Sequence, residues 1–260
     1  MADGVELWWR VDGTGPTVLL VPGRGDSTDV YPVDFSDALL AAGCSVLRFD
    51  PRDTGLSGDG GDAYTLGDMA SDITAVATVA GVERGHVVAL SMGGMVTVDL
   101  AVRHPECVAS IVFLAAMSPD PAAGMGPRFF DGLDADPVRG TLAAMGAASA
   151  DDERWMRERA VAAHARAPAR PDAGLRHQQA ALRLGWPEPA DLASVAAPTL
   201  VVHGSADLVL PPAHAGALAA GVPDARLHLV EGMGHLPSRR EWSVVADLVA
   251  THVASVRASR

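Results

Sequence analysis

Short, mostly apolar runs punctuate this chain, most of them with Gly, Pro, Asp or Ser at one end or both. They fall at residues 17–21, 45–49, 87–90, 108–114 and 199–203. An apolar run of this length without alternation is the pattern of a strand buried on both faces, as in a parallel sheet covered by helices. Between the runs the apolar residues recur at helical spacing over 31–42, 65–80, 92–102, 213–220 and 241–256. Gly43 reads as a C-cap. Thr65 and Asp68 have the spacing of a capping box. Residues 5–11 read as an edge strand before the turn cluster 12–16, and 225–230 as a last strand. Strand and helix alternating in this way predict an α/β fold, with a mostly parallel central sheet flanked by helices.

The texture changes at Ser118. Residues 118–189 are rich in Ala, Arg and Met, carry repeated prolines and contain no strand pattern. Helices are expected over 152–166 and 172–184, too much chain for one crossover. The predicted organisation is therefore a core of residues 1–117 and 190–260 with a helical cap, or lid, at 118–189. A cap over the carboxyl ends of the strands would wall a pocket and exclude water.

Composition narrows the function. The chain of 260 residues is 48% hydrophobic, enough for a large core, and its net charge of −12 has no basic run to offset it. Nucleic acid is therefore not an expected partner. Every basic residue other than histidine is arginine, which we read as coding bias. The first residues carry acids and no basic start followed by an apolar run, and no apolar stretch reaches the length of a membrane helix. A cytoplasmic protein without a membrane partner is expected. Cys44 and Cys107 lack Cys-x-x-Cys spacing and read as core thiols.

The chemistry centres on His86-Val-Val-Ala-Leu-Ser-Met-Gly-Gly94. Ser91 sits between a strand end and a helix start with only small residues near it: Ala89, Gly93 and Gly94. Such a serine takes a strained backbone and presents its hydroxyl above the sheet at the positive end of a helix. A serine hydroxyl needs a base, and the base needs a carboxylate to fix its tautomer. Asp207 and His235 each follow a predicted strand, and the glycines of Gly232-Met-Gly-His235 let that loop turn inward. The backbone N–H groups of Met92 and Arg24 are the expected oxyanion donors. Arg24, Met117, Met125, Trp155 and Trp186 are candidate substrate contacts, with core packing the alternative for the last four. His164 and His177 lie in the cap within reach of a substrate. No His-Glu-x-x-His or similar ligand spacing is present, so neither metal nor cofactor is expected.

These pieces together resemble the α/β-hydrolase superfamily. The resemblance rests on Pro22-Gly-Arg-Gly25, Asp50-Pro-Arg-Asp-Thr-Gly-Leu-Ser57, the Ser91 elbow, Gly204-Ser-Ala-Asp207 and Gly232-Met-Gly-His235. The order Ser, Asp, His with a cap between the first two is that of the superfamily. Within it the chain is most similar to the aclacinomycin methylesterase group of polyketide-tailoring enzymes. It departs in having Pro22-Gly23 for the usual His-Gly and Ala89 for the first elbow glycine. The resemblance implies an α/β-hydrolase fold and cofactor-free cleavage of a carboxylic ester through an acyl-enzyme, by a monomer or homodimer. The same triad could serve lactone or C–C bond hydrolysis, or haloperoxidase-like perhydrolysis. A ligand receptor on a hydrolase scaffold is the alternative of another class.

Overall fold

The computed structural model describes residues 4–61, 63–126, 149–166, 177–178, 180–182 and 187–258. Seven strands form one sheet: β1 (Trp9–Gly13), β2 (Thr17–Val21), β3 (Ser45–Phe49), β4 (Gly85–Leu90), β5 (Val108–Leu114), β6 (Thr199–Gly204) and β7 (Arg226–Val230), in the order β1-β3-β2-β4-β5-β6-β7. Only β1 runs antiparallel, pairing with β3; all other pairs are parallel.

Residue parity sorts the sheet into two faces, because side chains alternate along a strand. Val18, Leu20, Val46, Val88, Leu90, Val112, Leu114 and Val202 enter one core cluster with Phe35, Trp242 and Val249. The last three belong to α1 (Val33–Ala41) and to the closing helix Arg239–Ala258. Leu19, Val21, Leu47, Phe49, Val87, Ile111, Phe113 and Val201 enter the other. That face is covered by α2 (Leu66–Val79), α3 (Gly93–Arg103) and the helix Ala213–Gly221. Each large apolar side chain taken from water contributes about 1.5–3 kcal/mol, so burial on both faces explains why these strands are continuous apolar runs.

Counting the described α-helices in chain order, Ala150–Arg166 is α4, Ala213–Gly221 is α5 and Arg239–Ala258 is α6. Helix α4 docks on the loops at the carboxyl ends of the strands. Arg159 donates to the carbonyls of Asp29 and Val30 at 2.6 and 2.8 Å, and Arg166 pairs with Asp29 and Asp50 at 2.7 and 2.9 Å.

The strand order reverses between β2 and β4. The chain leaves β2 toward β3 on one side, while β4 leads to β5 on the other. Loops leaving the two strands therefore diverge and open a crevice, the place where open α/β sheets bind ligands.

Three expectations need correction. The first strand starts at Trp9 rather than residue 5, and runs on to Gly13, whose φ of +78° ends it. The first helix starts at Val33, not at residue 31, because Pro32 excludes helical backbone from Tyr31. Tyr31 turns inward instead, and its hydroxyl donates to the carbonyls of Val21 and Val88 at 2.8 and 3.1 Å. Cys44 is buried as expected, but Cys107 is only half-buried, in the turn Pro105–Cys107 at the surface.

Candidate active site

Strand β4 is buried along its whole length and delivers the chain to Ser91, whose φ is +53°. Left-handed backbone is costly for a residue with a Cβ, and it persists only where the surroundings fix it. Here Ser91 N–H donates to Leu114 O at 3.2 Å, and Ser91 O accepts from Gly94 and Met117 N–H at 3.0 Å each. The small neighbours are steric necessities. A Cβ on Gly93 would lie 2.6 Å from Pro22 O, and one on Gly94 would lie 2.7 Å from Ala116 Cβ. Helix α3 can therefore start directly beneath the loop leaving β2.

The imidazole comes from the loop after β7. Gly232 takes φ +76°, and its N–H donates to Ser205 Oγ at 2.9 Å. Met233 is fully buried and plugs the loop into the core. Gly204 at the end of β6 allows the two loops to meet: a Cβ there would lie 2.1 Å from Met233 O.

The three side chains form one hydrogen-bonded line. Ser91 Oγ lies 3.0 Å from His235 Nε2, and His235 Nδ1 lies 2.8 Å from Asp207 Oδ2. A carboxylate can only accept from Nδ1–H, which leaves Nε2 to accept the serine proton. Asp207 Oδ1 accepts from the N–H groups of Val209 and Leu210, both at 2.8 Å. Burial alone would raise this carboxyl. The charge of His235 and hydrogen bonds from His203 and His235 outweigh it and hold Asp207 well below the usual carboxylate range.

The loop after β2 turns at Gly23–Asp26, where Asp26 N–H donates to Gly23 O at 3.3 Å and Gly25 takes φ +75°. A left-handed third residue is what a type II turn requires. The turn touches the serine: a Cβ on Gly23 would lie 3.2 Å from Ser91 Cβ. Met92 follows at the N-cap of α3, where backbone N–H groups have no acceptor within the helix. Arg24 follows Gly23 in this turn, and Met92 follows Ser91 at the start of α3.

The other expected contacts are placed unequally. Met117 is packed in the core. Met125 is exposed. Trp155 on α4 and Leu236, next to His235, both pack against the cluster of Met156, and the Arg159 guanidinium lies 4.7 Å from the Trp155 ring centre. His177 is engaged by Asp53 at 3.1 Å. Trp186, the side chain of His164 and much of the span expected as the helix 172–184 lie outside the described residues.

Sequence reasoning missed three residues. Gln178 is fully buried and clamps the loop, accepting from Gly25 N–H at 2.6 Å and donating to Arg52 O at 3.3 Å. His203 lies 3.2 Å from Asp207 Oδ2 and 2.9 Å from Leu210 O. Asp26 sits beside the nucleophile, and burial pushes its carboxyl up to about 6 against the pull of His235, Arg24 and Arg159. None carried a signal, since each acts through a contact distant in sequence or through a loop bend. Asp53, Asp59 and His177 are the described group whose ligand atoms, within 4.8 Å of one another, could hold a metal ion. Asp53 there is already bonded to His177 and to Gly60 N–H.

This geometry, an elbow serine at the switch point of a mostly parallel sheet, is that of a hydrolase. The chain belongs to the α/β-hydrolase fold family, which matches residues 16–238. It is 33% identical to a protein of Variovorax paradoxus named as a carbamate hydrolase, RutD, covering 98% of each chain. It is 29% identical to rhodomycin D methylesterase DauP of a Streptomyces species, covering 96% of this chain and 95% of that one. Methylesterases are thus among its relatives, as the motifs implied. A solved structure from Mycobacterium tuberculosis H37Rv, named as the non-heme bromoperoxidase BpoC, superposes with a TM-score of 0.78 at 26% identity, covering 96% of each chain. No helix among the described residues is long and apolar enough to cross a membrane.

Proposed function

We propose that this protein is a serine carboxylic-ester hydrolase that acts on a hydrophobic small molecule, such as the methyl ester of a polyketide, beneath a cap formed by residues 118–189. The observation that carries this reading is the unbroken line from Ser91 Oγ through His235 to Asp207, with separations of 3.0 and 2.8 Å.

Ser91 Oγ bonds to the ester carbon while His235 Nε2 takes its proton. Asp207 keeps Nδ1–H oriented and stabilises the imidazolium. The Met92 and Arg24 N–H groups hold the oxyanion. As the bond to the alcohol oxygen breaks, His235 returns the proton to the leaving alcohol. Water then attacks the acyl-enzyme by the same proton route, releasing the acid and restoring the Ser91 hydroxyl. Trp155 on α4 and the Arg24 side chain are the substrate contacts in this reading.

A fluorophosphonate probe followed by intact mass measurement tests the assignment. One adduct is expected on the wild type and none on Ser91→Ala, with kcat of that variant lower by about 10⁴- to 10⁶-fold. An adduct that survives Ser91→Ala refutes it. A second reading, hydrolysis of a carbamate by the same residues, is favoured by the 33% identity to the protein named as a carbamate hydrolase. Product analysis on matched esters, carbamates, lactones and β-diketones, with peracid formation followed in parallel, separates these reactions.

A further inference from the structure

Asp26 is a half-buried carboxyl that the fold does not use. Its side chain has no hydrogen-bond or ion-pair partner among the described residues. The turn it ends is closed by its backbone N–H, not its side chain. The next helical turn, Thr28–Val30, is capped by Ser27, whose hydroxyl accepts from Asp29 N–H at 3.3 Å. Yet the carboxylate folds back over Gly23, the residue whose α-carbon adjoins Ser91. A methyl placed on Gly23 would lie 3.0 Å from Asp26 Oδ2 and 3.2 Å from Ser91 Cβ, so the two side chains flank one point in space.

We propose that Asp26 is a substrate-binding residue that accepts a hydrogen bond from a hydroxyl or ammonium group within about two bonds of the scissile carbonyl. The inference rests on Ser91 being the nucleophile. The chemistry follows from what the site lacks. A carboxylate left unpaired in a partly dry pocket is unfavourable, and a substrate donor supplies the missing partner as a charge-assisted bond. A substrate without the donor leaves the charge unpaired, and sites of that kind reject such analogues strongly. The raised proton affinity of Asp26 agrees with an unsatisfied carboxylate. The spacing to Ser91 limits the donor to the neighbourhood of the carbonyl, which selects 2-hydroxy and 3-hydroxy acyl esters and their amino counterparts over plain fatty esters. The charges that act on it through space are His235, Arg24 and Arg159.

The test compares methyl 2-hydroxyoctanoate with methyl octanoate by kcat/KM. The wild type is expected to prefer the hydroxy ester by about 10- to 100-fold, the range of a hydrogen bond to a charged group. In Asp26→Ala the ratio should fall to within about threefold of unity, and Asp26→Asn, which keeps an acceptor, should retain part of it. Turnover of both esters by the wild type at equal kcat/KM overturns this proposal and leaves the Ser91 assignment standing. So does a preference that survives Asp26→Ala. Failure to turn over either ester, with probe labelling that does not depend on Ser91, removes both readings at once.

Discussion

His203 lies 3.2 Å from the Asp207 oxygen that also holds His235 at 2.8 Å, so two imidazoles converge on one carboxylate oxygen. His203 is fully buried at the end of β6, and its Nε2 also lies 2.9 Å from Leu210 O. Both neighbours are acceptors, so Nε2 carries the proton. One N–H thus ties Asp207 to the loop that carries it.

Replacing His203 should therefore loosen Asp207 without touching substrate. His203→Phe is expected to lower kcat by about 10-fold or more with KM little changed, since a displaced orienting group weakens the transition state only. His203→Gln, which keeps a donor, should recover part of the loss. Steady-state kinetics on one ester decides, and a change confined to KM would count against the role.

Gln178 joins the loop after β2 to the loop after β3 through Gly25 N–H and Arg52 O. Gln178→Ala leaves both backbone groups without their partner and frees the turn that carries the Arg24 N–H. A fall in kcat of about 10- to 100-fold is expected, smaller than the loss of a direct oxyanion donor. Rates at saturating substrate, with urea unfolding as a control for stability, measure it.

Gly93 is fixed by backbone on two sides: a Cβ would lie 2.6 Å from Pro22 O and 2.8 Å from Val21 O. Carbonyl oxygens of a central strand cannot yield as a flexible side chain would. Gly93→Ala should cost about 1–3 kcal/mol of stability. It should also spread Met92 from the Arg24 turn, so that turnover falls further than folding does. Denaturant titration and kcat, measured together, test both halves.

Asp26 and Asp207 should pull stability in opposite directions with pH. The Asp26 carboxyl, raised from 3.8 to about 6, binds its proton more tightly folded than unfolded. Its favourable contribution is therefore present at low pH and is lost as pH rises from about 4 to 6. Part of the residue reaches solvent, so about 1–2 kcal/mol is expected. Asp26→Asn should gain on the wild type as pH rises through this window. Asp207, held low, contributes stability above the ordinary carboxylate value that is lost only as pH falls through and below it. Unfolding curves from pH 4 to 8 for wild type and Asp26→Asn show whether the difference has this sign.

Much of the fold was written in the sequence. Strands 17–21, 45–49 and 108–114 match their observed bounds, because a strand buried on both faces is mostly apolar along its length. The Thr65 and Asp68 capping box forms as spaced, because it is local. Ser91, Asp207 and His235 were legible because glycines and strand ends frame each of them. Gln178, His203 and Asp26 were not. A glutamine, a strand histidine and a loop aspartate look the same in sequence whether they face solvent or a reaction centre.

The chain by itself thus determined which segments become strands and helices, and which residues stand at the strand ends. Both depend on neighbours within a few positions. Only the tertiary structure decided that β2 and β4 lie side by side with their loops diverging, that Gly204 admits the His235 loop against β6, and that Gly23 lies against both Asp26 and Ser91. Those facts depend on atoms brought together from distant parts of the chain, and packing at van der Waals contact fixes them to tenths of an ångström.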